Sequence, residues 1–372
     1  MREERKTIFL TGATGFLGSY LALLFLKNGD KVIALARSAK DKTARERTID
    51  LLRFWDDSFS AGLLDRLSVI EGDIVNPGFG VKQVEDLRIA AEATDIIVHS
   101  AALAEIRSPI EKTRPINVGG AKNVLDFALS CPNLKKFNHI STAYVIGNKQ
   151  DIEFSEDMLD VGQKFHNTYE QTKFEAEVLV NEYRGKGLDI SIFRPSMVMG
   201  ALRDGRINSF RLFYGPLHFF ARGICEEFPI DLASAQNLIN IESVGRGLFL
   251  LADEPGPLVF HLVSSEPVRV SRLLNMAGEY FGYKPPRLIA PDKFDFSKWT
   301  PVQRVLSQPF LPYFNSRSRF ASRKTAAILA KKGFAFPEID DANLLRIFEY
   351  CHKTGFIRRN PAAIQKSHMT NK

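Results

Sequence analysis

Cysteine is scarce in this chain, which has only Cys131, Cys225 and Cys351 among its 372 residues. The three are widely spaced, form no Cys-x-x-Cys pair and have no histidines grouped with them as in a zinc site. The sequence therefore favours neither a disulfide framework nor a metal centre. We predict that the cysteines are reduced and take no part in catalysis, and that no metal is bound.

Long hydrophobic runs are also lacking. No apolar stretch approaches the roughly eighteen residues that a membrane-spanning helix needs, and the polar start, Met1 to Lys6, leads into a strand rather than a signal-peptide core. A cytoplasmic location is the default expectation. Internal repeats, low-complexity tracts and nucleic-acid-binding motifs are missing too, so DNA and RNA are not expected partners. Hydrophobic residues make up 45% of the chain, enough for a full globular core.

The positive charge is concentrated near the C-terminus. The chain carries a formal net charge of +7, and residues 317–372 contain twelve Lys and Arg against four Asp and Glu. Such a segment could contact an acidic carrier or a membrane surface peripherally. The alternative is a solvated helical face with a frayed end.

The most informative stretch lies between Lys6 and Gly29. An apolar run at 8–10 meets a turn with Gly12, Gly15 and Gly18 and continues into a helical pattern that stops at Gly29. Glycine is needed where the backbone takes positive φ or approaches a ligand closely, and a helix that starts directly after such a turn points free N–H groups at an anion. The spacing, strand and helix together predict a site for the pyrophosphate of a dinucleotide.

Short apolar runs alternate with helical patterns over the first 200 residues. Strands are predicted at 8–10, 31–36, 67–74, 95–102, 136–140 and 188–193, and helices at 19–29, 43–54, 81–91, 118–130 and 168–183. Nearly continuous apolar strands separated by helices are typical of a parallel sheet covered on both faces. We predict an α/β fold with a doubly wound Rossmann-type sheet, in which ligands bind at the carboxyl ends of the strands.

The regular alternation fades beyond Gly200. Aromatic residues are frequent from Phe210 to Phe220, where they could line an acyl-chain pocket or belong to the core, and one more strand is predicted at 259–263. Helices dominate after Val270. We predict an NADP-binding Rossmann domain over 1–263, with substrate-lining insertions at about 151–166 and 201–236. A smaller, mostly helical substrate-binding region would follow over 264–372.

Tyr169 and Lys173 are four residues apart on a predicted helix, so their side chains share one face. A nearby ammonium favours phenolate, and we expect Lys173 to lower the tyrosine pKa from its usual value of about 10. The fifth predicted strand ends in Ser141 and Thr142, whose hydroxyls would lie at the carboxyl edge of the sheet. Thr142, Tyr169 and Lys173 are therefore a candidate carbonyl-reducing triad. The alternative is a strand-end turn residue with an unrelated surface Tyr and Lys.

The chain resembles the extended short-chain dehydrogenases/reductases. Seven motifs occur in the family's order: Gly12-x-x-Gly15-x-x-Gly18, Gly72-Asp73-Ile74, His99-Ser100-Ala101-Ala102, Asn117-Val118-x-Gly120, Ser141-Thr142-Ala143-Tyr144-Val145, Tyr169-x-x-x-Lys173 and Arg194-Pro195-x-x-Val198-x-Gly200. Within that superfamily the chain is similar to the thioester-reductase and fatty acyl-CoA reductase (male sterility-type) branch. This narrower similarity depends on residues 11–18, Arg37 and residues 141–145. The resemblance covers roughly residues 6–265.

The resemblance implies a role for each member of the triad. Tyr169 would donate a proton, Thr142 would hydrogen-bond the substrate oxygen, and Lys173 would hold the nicotinamide ribose. The implied cofactor-binding residues are Gly12, Thr14, Gly15, Phe16, Leu17, Gly18, Arg37, Asp73, Ile74, Ala101, Ala102, Tyr169, Lys173, Arg194 and Pro195.

Several of these cofactor contacts have more specific implied positions. The glycine turn would hold the pyrophosphate, Asp73 and Ile74 would face the adenine, and Ala101 would lie near the adenosine ribose. Asn117 is either a further contact or the N-cap of the following helix.

The end of the second predicted strand bears on the choice of cofactor. NAD sites place an acidic residue there to bind the ribose 2′-hydroxyl, whereas arginine suits a 2′-phosphate. Here the strand is followed by Arg37, and the first acid is Asp41. We predict NADP(H); the alternative is that Arg37 only covers the adenine.

The implied activity is NADPH-dependent reduction of an acyl thioester, either acyl-CoA or a carrier-bound acyl group, to an aldehyde or alcohol. The oxyanion that forms on hydride transfer would be stabilised by the hydroxyls of Tyr169 and Thr142, so no cysteine is needed. No adenylation or carrier pattern is present, and we expect the donor to be a CoA ester or a separate acyl carrier protein. Two alternatives stay open: an extended reductase acting on a secondary alcohol or ketone of sterol, flavonoid or nucleotide-sugar type, and a non-catalytic NADP-binding sensor.

Overall fold

The computed structural model describes residues 4–211 and 213–360. Its strands are β1 (Thr7–Thr11), β2 (Lys31–Ala36), β3 (Leu67–Glu71), β4 (Ile96–His99), β5 (Lys136–Ile140), β6 (Glu153–Phe154), β7 (Ile190–Pro195), β8 (Met197–Met199), β9 (Glu227–Pro229), β10 (Ala235–Gln236), β11 (Leu238–Asn240), β12 (Val259–Leu262), β13 (Val268–Arg269), β14 (Arg287–Ile289) and β15 (Arg319–Phe320). Its α-helices are α1 (Phe16–Asn28), α2 (Ala44–Trp55), α3 (Val84–Ala93), α4 (Ile110–Arg114), α5 (Gly120–Leu129), α6 (Thr168–Arg184), α7 (Tyr214–Ala221), α8 (Ile241–Leu251), α9 (Val270–Phe281), α10 (Pro301–Ser307), α11 (Leu311–Phe314), α12 (Arg323–Lys331) and α13 (Asp341–Lys353).

A seven-stranded parallel sheet forms the centre of the molecule. Its strand order is β3-β2-β1-β4-β5-β7-β12, and each neighbouring pair is parallel. The order reverses between β1 and β4, and open sheets of this kind bind ligands outside the carboxyl ends of the strands at such a reversal. The predicted doubly wound Rossmann-type fold is confirmed.

Alternate residues of each central strand face opposite layers of helices, as the two-residue period of a strand requires. Ile8 and Leu10 of β1 pack in a buried cluster with residues of α1, α2, α8 and α12. Phe9, between them, packs on the other side with residues of α3, α5 and α6. Most residues of the central strands are apolar on both faces, because helices cover both.

The predicted strand boundaries agree with the structure at some strands better than at others. The second and fifth predictions coincide with β2 and β5, whereas the third and fourth are too long at their carboxyl ends. Asp73 has already turned away from the sheet, because its N–H donates to the carbonyl of Phe79 at 2.8 Å. The segment from Ser100 to Ala102 also lies beyond the end of β4.

The C-terminal elements are tied to the two segments predicted as insertions. β14 pairs with β9, β13 with β10, and β15 with β6. Phe213 and Tyr214 are buried in an apolar cluster with residues of α9 and α13, and Phe220 is buried in a second cluster with Phe228. These three aromatics are therefore core residues, the second of the two predicted possibilities. The domain boundary at 263/264 stays a prediction.

Part of the basic C-terminal segment pairs with acidic side chains elsewhere in the chain. Arg317 forms ion pairs with Asp151 and Asp231, and Arg323 pairs with Glu153. The end of the segment, residues 361–372, lies outside the described part of the chain. Within 4–211 and 213–360, no helix has the length and apolar character needed to cross a membrane.

Candidate functional site

The turn between β1 and α1 admits only glycine at two of its positions. Gly12 has φ +78°, and a Cβ there would lie 2.7 Å from the amide nitrogen of Ala101. A Cβ on Gly18 would lie 2.2 Å from the carbonyl oxygen of Gly12. Both values are far below van der Waals contact. The turn is therefore packed tightly against the segment that follows β4 and against the first turn of α1.

Helix α1 begins at the edge of the reversal in strand order. Gly15 is its N-cap and is exposed, and Thr14, Phe16 and Leu17 are half-buried around it. Across the described ranges, no side chain caps this helix, and its first turn contains no acidic residue. An uncapped N-terminus favours an anion. These features fit the phosphates of a dinucleotide, whose placement here stays a prediction.

Arg37 lies at the carboxyl end of β2 with 66% of its side chain exposed. One of its guanidinium nitrogens lies 3.2 Å from a carboxylate oxygen of Asp73, which follows β3. Both residues line a pocket of about 410 Å³. Ile74 is buried, and a Cβ on Gly120 would lie 2.5 Å from its side chain. The two predicted adenine contacts thus differ, since Asp73 lines the pocket and Ile74 belongs to a buried apolar cluster.

Ala101 and Ala102 follow β4 after one intervening residue and lie beside the glycine turn. The amide nitrogen of Ala101 donates to the Thr11 hydroxyl oxygen at 3.2 Å, and Ala102 is exposed. Both predicted contacts therefore lie at the reversal between β1 and β4. Their role toward a ribose stays a prediction.

The triad residues come together at the carboxyl ends of β5 and β7. Thr142 follows β5 and accepts a hydrogen bond from the amide nitrogen of Tyr144 at 3.3 Å, while its hydroxyl lies 3.5 Å from the carbonyl oxygen of Pro195. Tyr169 and Lys173 lie on α6, whose N-cap, Asn167, accepts from the Glu170 amide. The Thr142 hydroxyl is close enough to the Tyr169 phenol to lower its pKa. The helix cap and the strand end thus position the two hydroxyls near each other.

The predicted lowering of the Tyr169 pKa is wrong. Removal of the half-buried phenol from water raises its pKa to about 12, although the neighbouring Thr142 hydroxyl opposes this rise. Tyr169 is therefore a neutral phenol near neutral pH. A neutral phenol can donate a proton, as reduction of a carbonyl requires.

Lys173 is almost completely buried, with 2% of its surface exposed. Its Nζ donates to the carbonyl oxygen of Ile140 at 2.6 Å and lies 3.2 Å from Nε2 of His139. Desolvation lowers the lysine pKa to about 8, partly opposed by the charge of Glu177. The ammonium is thus held against the end of β5.

Arg194, which was predicted to contact the cofactor, is engaged in the protein interior, and its role toward the cofactor stays a prediction. Its guanidinium is buried and forms a forked ion pair with Glu177, with donor–oxygen distances from 2.7 to 3.2 Å. It also donates to the carbonyl oxygen of Met158 and lies 3.2 Å from Nε2 of His261. All of these partners are internal, so Arg194 holds α6 onto β7 and β12. Pro195, next along β7, lies at the triad.

Asn117 is not a helix N-cap but part of a π-helical turn, Pro115–Gly119. Its buried amide bonds both backbone groups of Leu103, at 2.7 and 3.3 Å, and the Thr172 hydroxyl at 2.9 Å. It therefore links α6 to the loop that follows β4. In that loop Arg107 donates to the carbonyls of Val305 and Leu306 at the end of α10, so the C-terminal region approaches the same edge of the sheet.

Sequence reasoning missed a buried acid beside the triad. Glu170 is buried, accepts from the Tyr313 hydroxyl at 2.5 Å and accepts from the His166 amide at 2.9 Å. Desolvation raises its pKa to about 7. A possible signal was the acidic residue directly after Tyr169, but its partner Tyr313 is far away in the sequence.

The geometry can be compared with known proteins. A family model described as male sterility protein matches residues 10–271. The chain is 27% identical over 329 residues to the L-2-aminoadipate reductase large subunit of Penicillium chrysogenum, covering 81% of this chain and 22% of the relative. It is 32% identical over 224 residues to a carboxylic acid reductase of Segniliparus rugosus (55% and 19%) and 26% identical over 350 residues to fatty acyl-CoA reductase 1 of Arabidopsis thaliana (75% and 71%). It thus spans only a minor part of the first two relatives.

Two solved structures of reductase domains are also similar to this chain. The terminal R domain from the myxalamid PKS-NRPS biosynthetic pathway superposes with a TM-score of 0.82 at 25% identity, covering 96% of this chain and 93% of that one. A thiolation-reductase di-domain from an archaeal non-ribosomal peptide synthetase gives 0.79 at 25% identity, covering 95% and 77%. The similarity to both therefore extends well beyond the central sheet.

Proposed function

The chain belongs to the male sterility protein family, and from this premise we propose that it is an NADPH-dependent reductase of acyl thioesters that forms an aldehyde or alcohol. The main support is one arrangement of side chains. Thr142, Tyr169 and Lys173 meet at the carboxyl end of β5, on the same edge of the sheet as the glycine turn that follows β1. The names of the relatives, which include carboxylic acid, aminoadipate and acyl-CoA reductases, support a carboxyl-level substrate.

The residues present fit a nicotinamide dinucleotide. The glycine turn approaches neighbouring backbone more closely than any Cβ allows, and the uncapped start of α1 lies beside it. Gly12, Gly15 and Gly18 would hold the pyrophosphate, and Lys173 the nicotinamide ribose. When bound, the cofactor supplies a hydride to the thioester carbonyl carbon, which leads to loss of the thiol and an aldehyde.

The chain's own groups would act on the carbonyl oxygen. Tyr169, kept neutral by its raised pKa, holds a proton on Oη for the developing oxyanion. Thr142 orients that phenol and offers a second hydroxyl to the same oxygen. Donors placed in advance where negative charge develops lower the barrier most effectively. Lys173 keeps its ammonium nearby without being the proton donor.

We propose NADP(H) rather than NAD(H) as the cofactor. Arg37 lies where the ribose 2′-substituent is bound in dinucleotide folds, and a guanidinium suits a phosphate. The acyl donor would be a CoA ester or a carrier-bound acyl group. The second of these is supported by the similarity to a thiolation-reductase di-domain.

The first experiment is a substrate panel. Purified protein is incubated with NADPH or NADH and with acyl-CoAs of increasing length, acylated carrier proteins, and sterol, flavonoid and nucleotide-sugar ketones. We expect NADPH oxidation matched by release of free thiol with at least one thioester. Ketone reduction without thiol release from any thioester would contradict the proposal.

A variant pair tests whether Tyr169 is responsible. We expect Tyr169→Phe to lower kcat by about 10²- to 10⁴-fold, the usual contribution of a general acid. Tyr183→Phe is the matched control. Tyr183 lies on the same helix, and its hydroxyl donates to Asp126, an exposed residue of α5. Equal activity of the two variants would rule out the assigned role.

A further inference from the structure

Three polar residues form a row across neighbouring strands in the buried centre of the sheet. Thr11 on β1 is the register partner of His99 on β4, which is the partner of His139 on β5. Nδ1 of His99 lies 2.8 Å from the Thr11 hydroxyl, and the two imidazole rings are 5.5 Å apart. Since register partners in neighbouring strands share a face, the row lies on the side covered by α6. It runs from the glycine turn to Lys173.

This row is not well explained by stability. Nδ1 of His139 and Nε2 of His99 are buried without a hydrogen-bond partner among the residues that the structure describes. An unpaired buried polar atom costs stability, and apolar residues of similar volume would avoid that cost. Polar groups kept in such a place call for a functional reason.

We propose that His139 is a positioning residue for Lys173, an inference that rests on the proposed cofactor binding. The imidazole accepts a hydrogen bond from the lysine ammonium through Nε2 and fixes the ammonium at the carboxyl end of β5. The proton of the neutral ring is then on Nδ1.

The number of donors supports this role. A lysine ammonium has three N–H groups and no acceptor. One N–H of Lys173 is directed to the carbonyl oxygen of Ile140 and one to Nε2 of His139. These two fixed partners determine where the third N–H points, and that N–H is left for a ribose hydroxyl of the cofactor.

The pKa of Lys173 depends on the titratable groups around it. His139 and His99 face it from the sheet, Glu177 lies on its own helix, and Arg184 acts on His139 from farther along α6. Burial lowers the pKa of both histidines well below neutrality, so between pH 6 and 10 they stay uncharged. Because an acceptor favours the charged form of its donor, loss of His139 lowers the lysine pKa.

The test measures NADPH binding by fluorescence titration from pH 6 to 10, without acyl substrate. For His139→Phe and His139→Leu we expect about a tenfold increase in Kd at pH 7.5, the loss of one charge-assisted hydrogen bond. The pH above which binding weakens should be lower in both apolar variants than in the natural protein, because loss of the acceptor lowers the lysine pKa further from its usual value. His139→Gln, which can keep an acceptor at similar reach, should stay within about threefold.

Two controls separate positioning from packing. Ser191→Ala removes a buried, unpartnered hydroxyl on the opposite face of the neighbouring strand and should leave Kd unchanged. In a Lys173→Met background, His139→Phe should have no additional effect, since the contact is already absent.

Four results would overturn the proposal. The first two are an NADPH Kd in both apolar variants equal to that of the natural protein, and an additional loss of NADPH affinity when His139→Phe is combined with Lys173→Met. The other two are a Kd for His139→Gln as high as that of the apolar variants, and failure of both apolar variants to fold. The last counts because a residue with an unpartnered nitrogen should not be needed for folding. Absence of thiol release from every thioester would contradict the substrate proposal but leaves this binding test intact.

Discussion

At the scale of single residues, Arg37 is the position on which the choice of cofactor depends. Its ion pair with Asp73 is largely exposed, and such pairs contribute little stability. The guanidinium can therefore leave Asp73 for an anionic ligand at small cost. A 2′-phosphate is the anion that would distinguish NADPH from NADH.

We expect Arg37→Ala to raise the KM for NADPH about tenfold or more while the KM for NADH changes little. Steady-state kinetics with both cofactors measures the ratio. Lys40→Ala, which removes an equal charge from the same exposed loop, is the matched control. If Arg37→Ala left the KM for NADPH unchanged relative to that for NADH, the cofactor preference would have to come from elsewhere.

At the scale of elements, the turn and helix α1 act as one unit. Gly12, Gly15 and Gly18 are spaced so that the chain reverses, begins a helix and packs the helix back on the turn. The backbone carbonyl of Gly12 has two tasks, since it accepts from the amide of Gly15 at 2.8 Å and abuts Gly18. A side chain at Gly18 would separate the helix from the turn.

We therefore expect Gly18→Ala to reduce the free energy of unfolding by about 1–3 kcal/mol, the usual cost of overpacking, and to weaken NADPH binding as well. Gly119→Ala is the control, because no described atom lies within 4 Å of a Cβ there and its φ of −60° is helical. That change should be neutral or stabilising by about 0.4–1 kcal/mol. Urea unfolding and fluorescence titration measure the two effects, and equal behaviour of both variants would contradict the packing explanation.

At the scale of the whole molecule, Glu170 joins the catalytic helix to the C-terminal region. Its carboxyl accepts from Tyr313, and the same tyrosine hydroxyl accepts from the Asn167 side chain at 2.6 Å. Tyr144, next to the triad, packs edge-on against Tyr313. The region predicted to bind substrate is thus attached to α6 within a few residues of Tyr169.

This attachment should depend on pH. The folded-state pKa of Glu170, about 7, lies above the unfolded value of 4.5, so its stabilising contribution is full below about 4.5 and is lost as pH rises through 7. Between pH 5 and 8 we expect the natural protein to lose on the order of 3 kcal/mol relative to Glu170→Gln. Urea unfolding at both pH values measures this difference. Glu182→Gln, an exposed change on the same helix, should parallel the natural protein; a pH-independent difference for Glu170→Gln would contradict the shift.

Much of the architecture was predictable from local pattern. Residues 31–36 and 136–140 were assigned as strands with the bounds that β2 and β5 have, because short apolar runs between helical patterns leave little choice. The predicted superfamily is confirmed, and so is the thioester and fatty acyl-CoA reductase branch. Among the branch motifs, the glycine turn is restricted most clearly, because a Cβ at Gly12 or Gly18 would collide with backbone atoms.

Two features depend on contacts that no local pattern shows. Arg194 was assigned to the cofactor because of its motif, and the structure adds buried partners for it, Glu177 and His261, from a helix and a strand elsewhere in the chain. The pKa of Tyr169 was predicted from one neighbour on its own helix, whereas burial by the whole fold decides its direction. Burial and long-range pairing are properties of the packed chain, not of a local pattern.

The sequence by itself determined the doubly wound sheet, the glycine turn and the presence of Thr142, Tyr169 and Lys173, because strand period, positive φ and helical spacing are local constraints. Only the tertiary structure decided which charges are buried, that His139 lies on the face of the sheet that Lys173 contacts, and that Tyr313 reaches Glu170. These depend on contacts between residues distant in the chain, and desolvation there is strong enough to reverse an expectation drawn from neighbours alone.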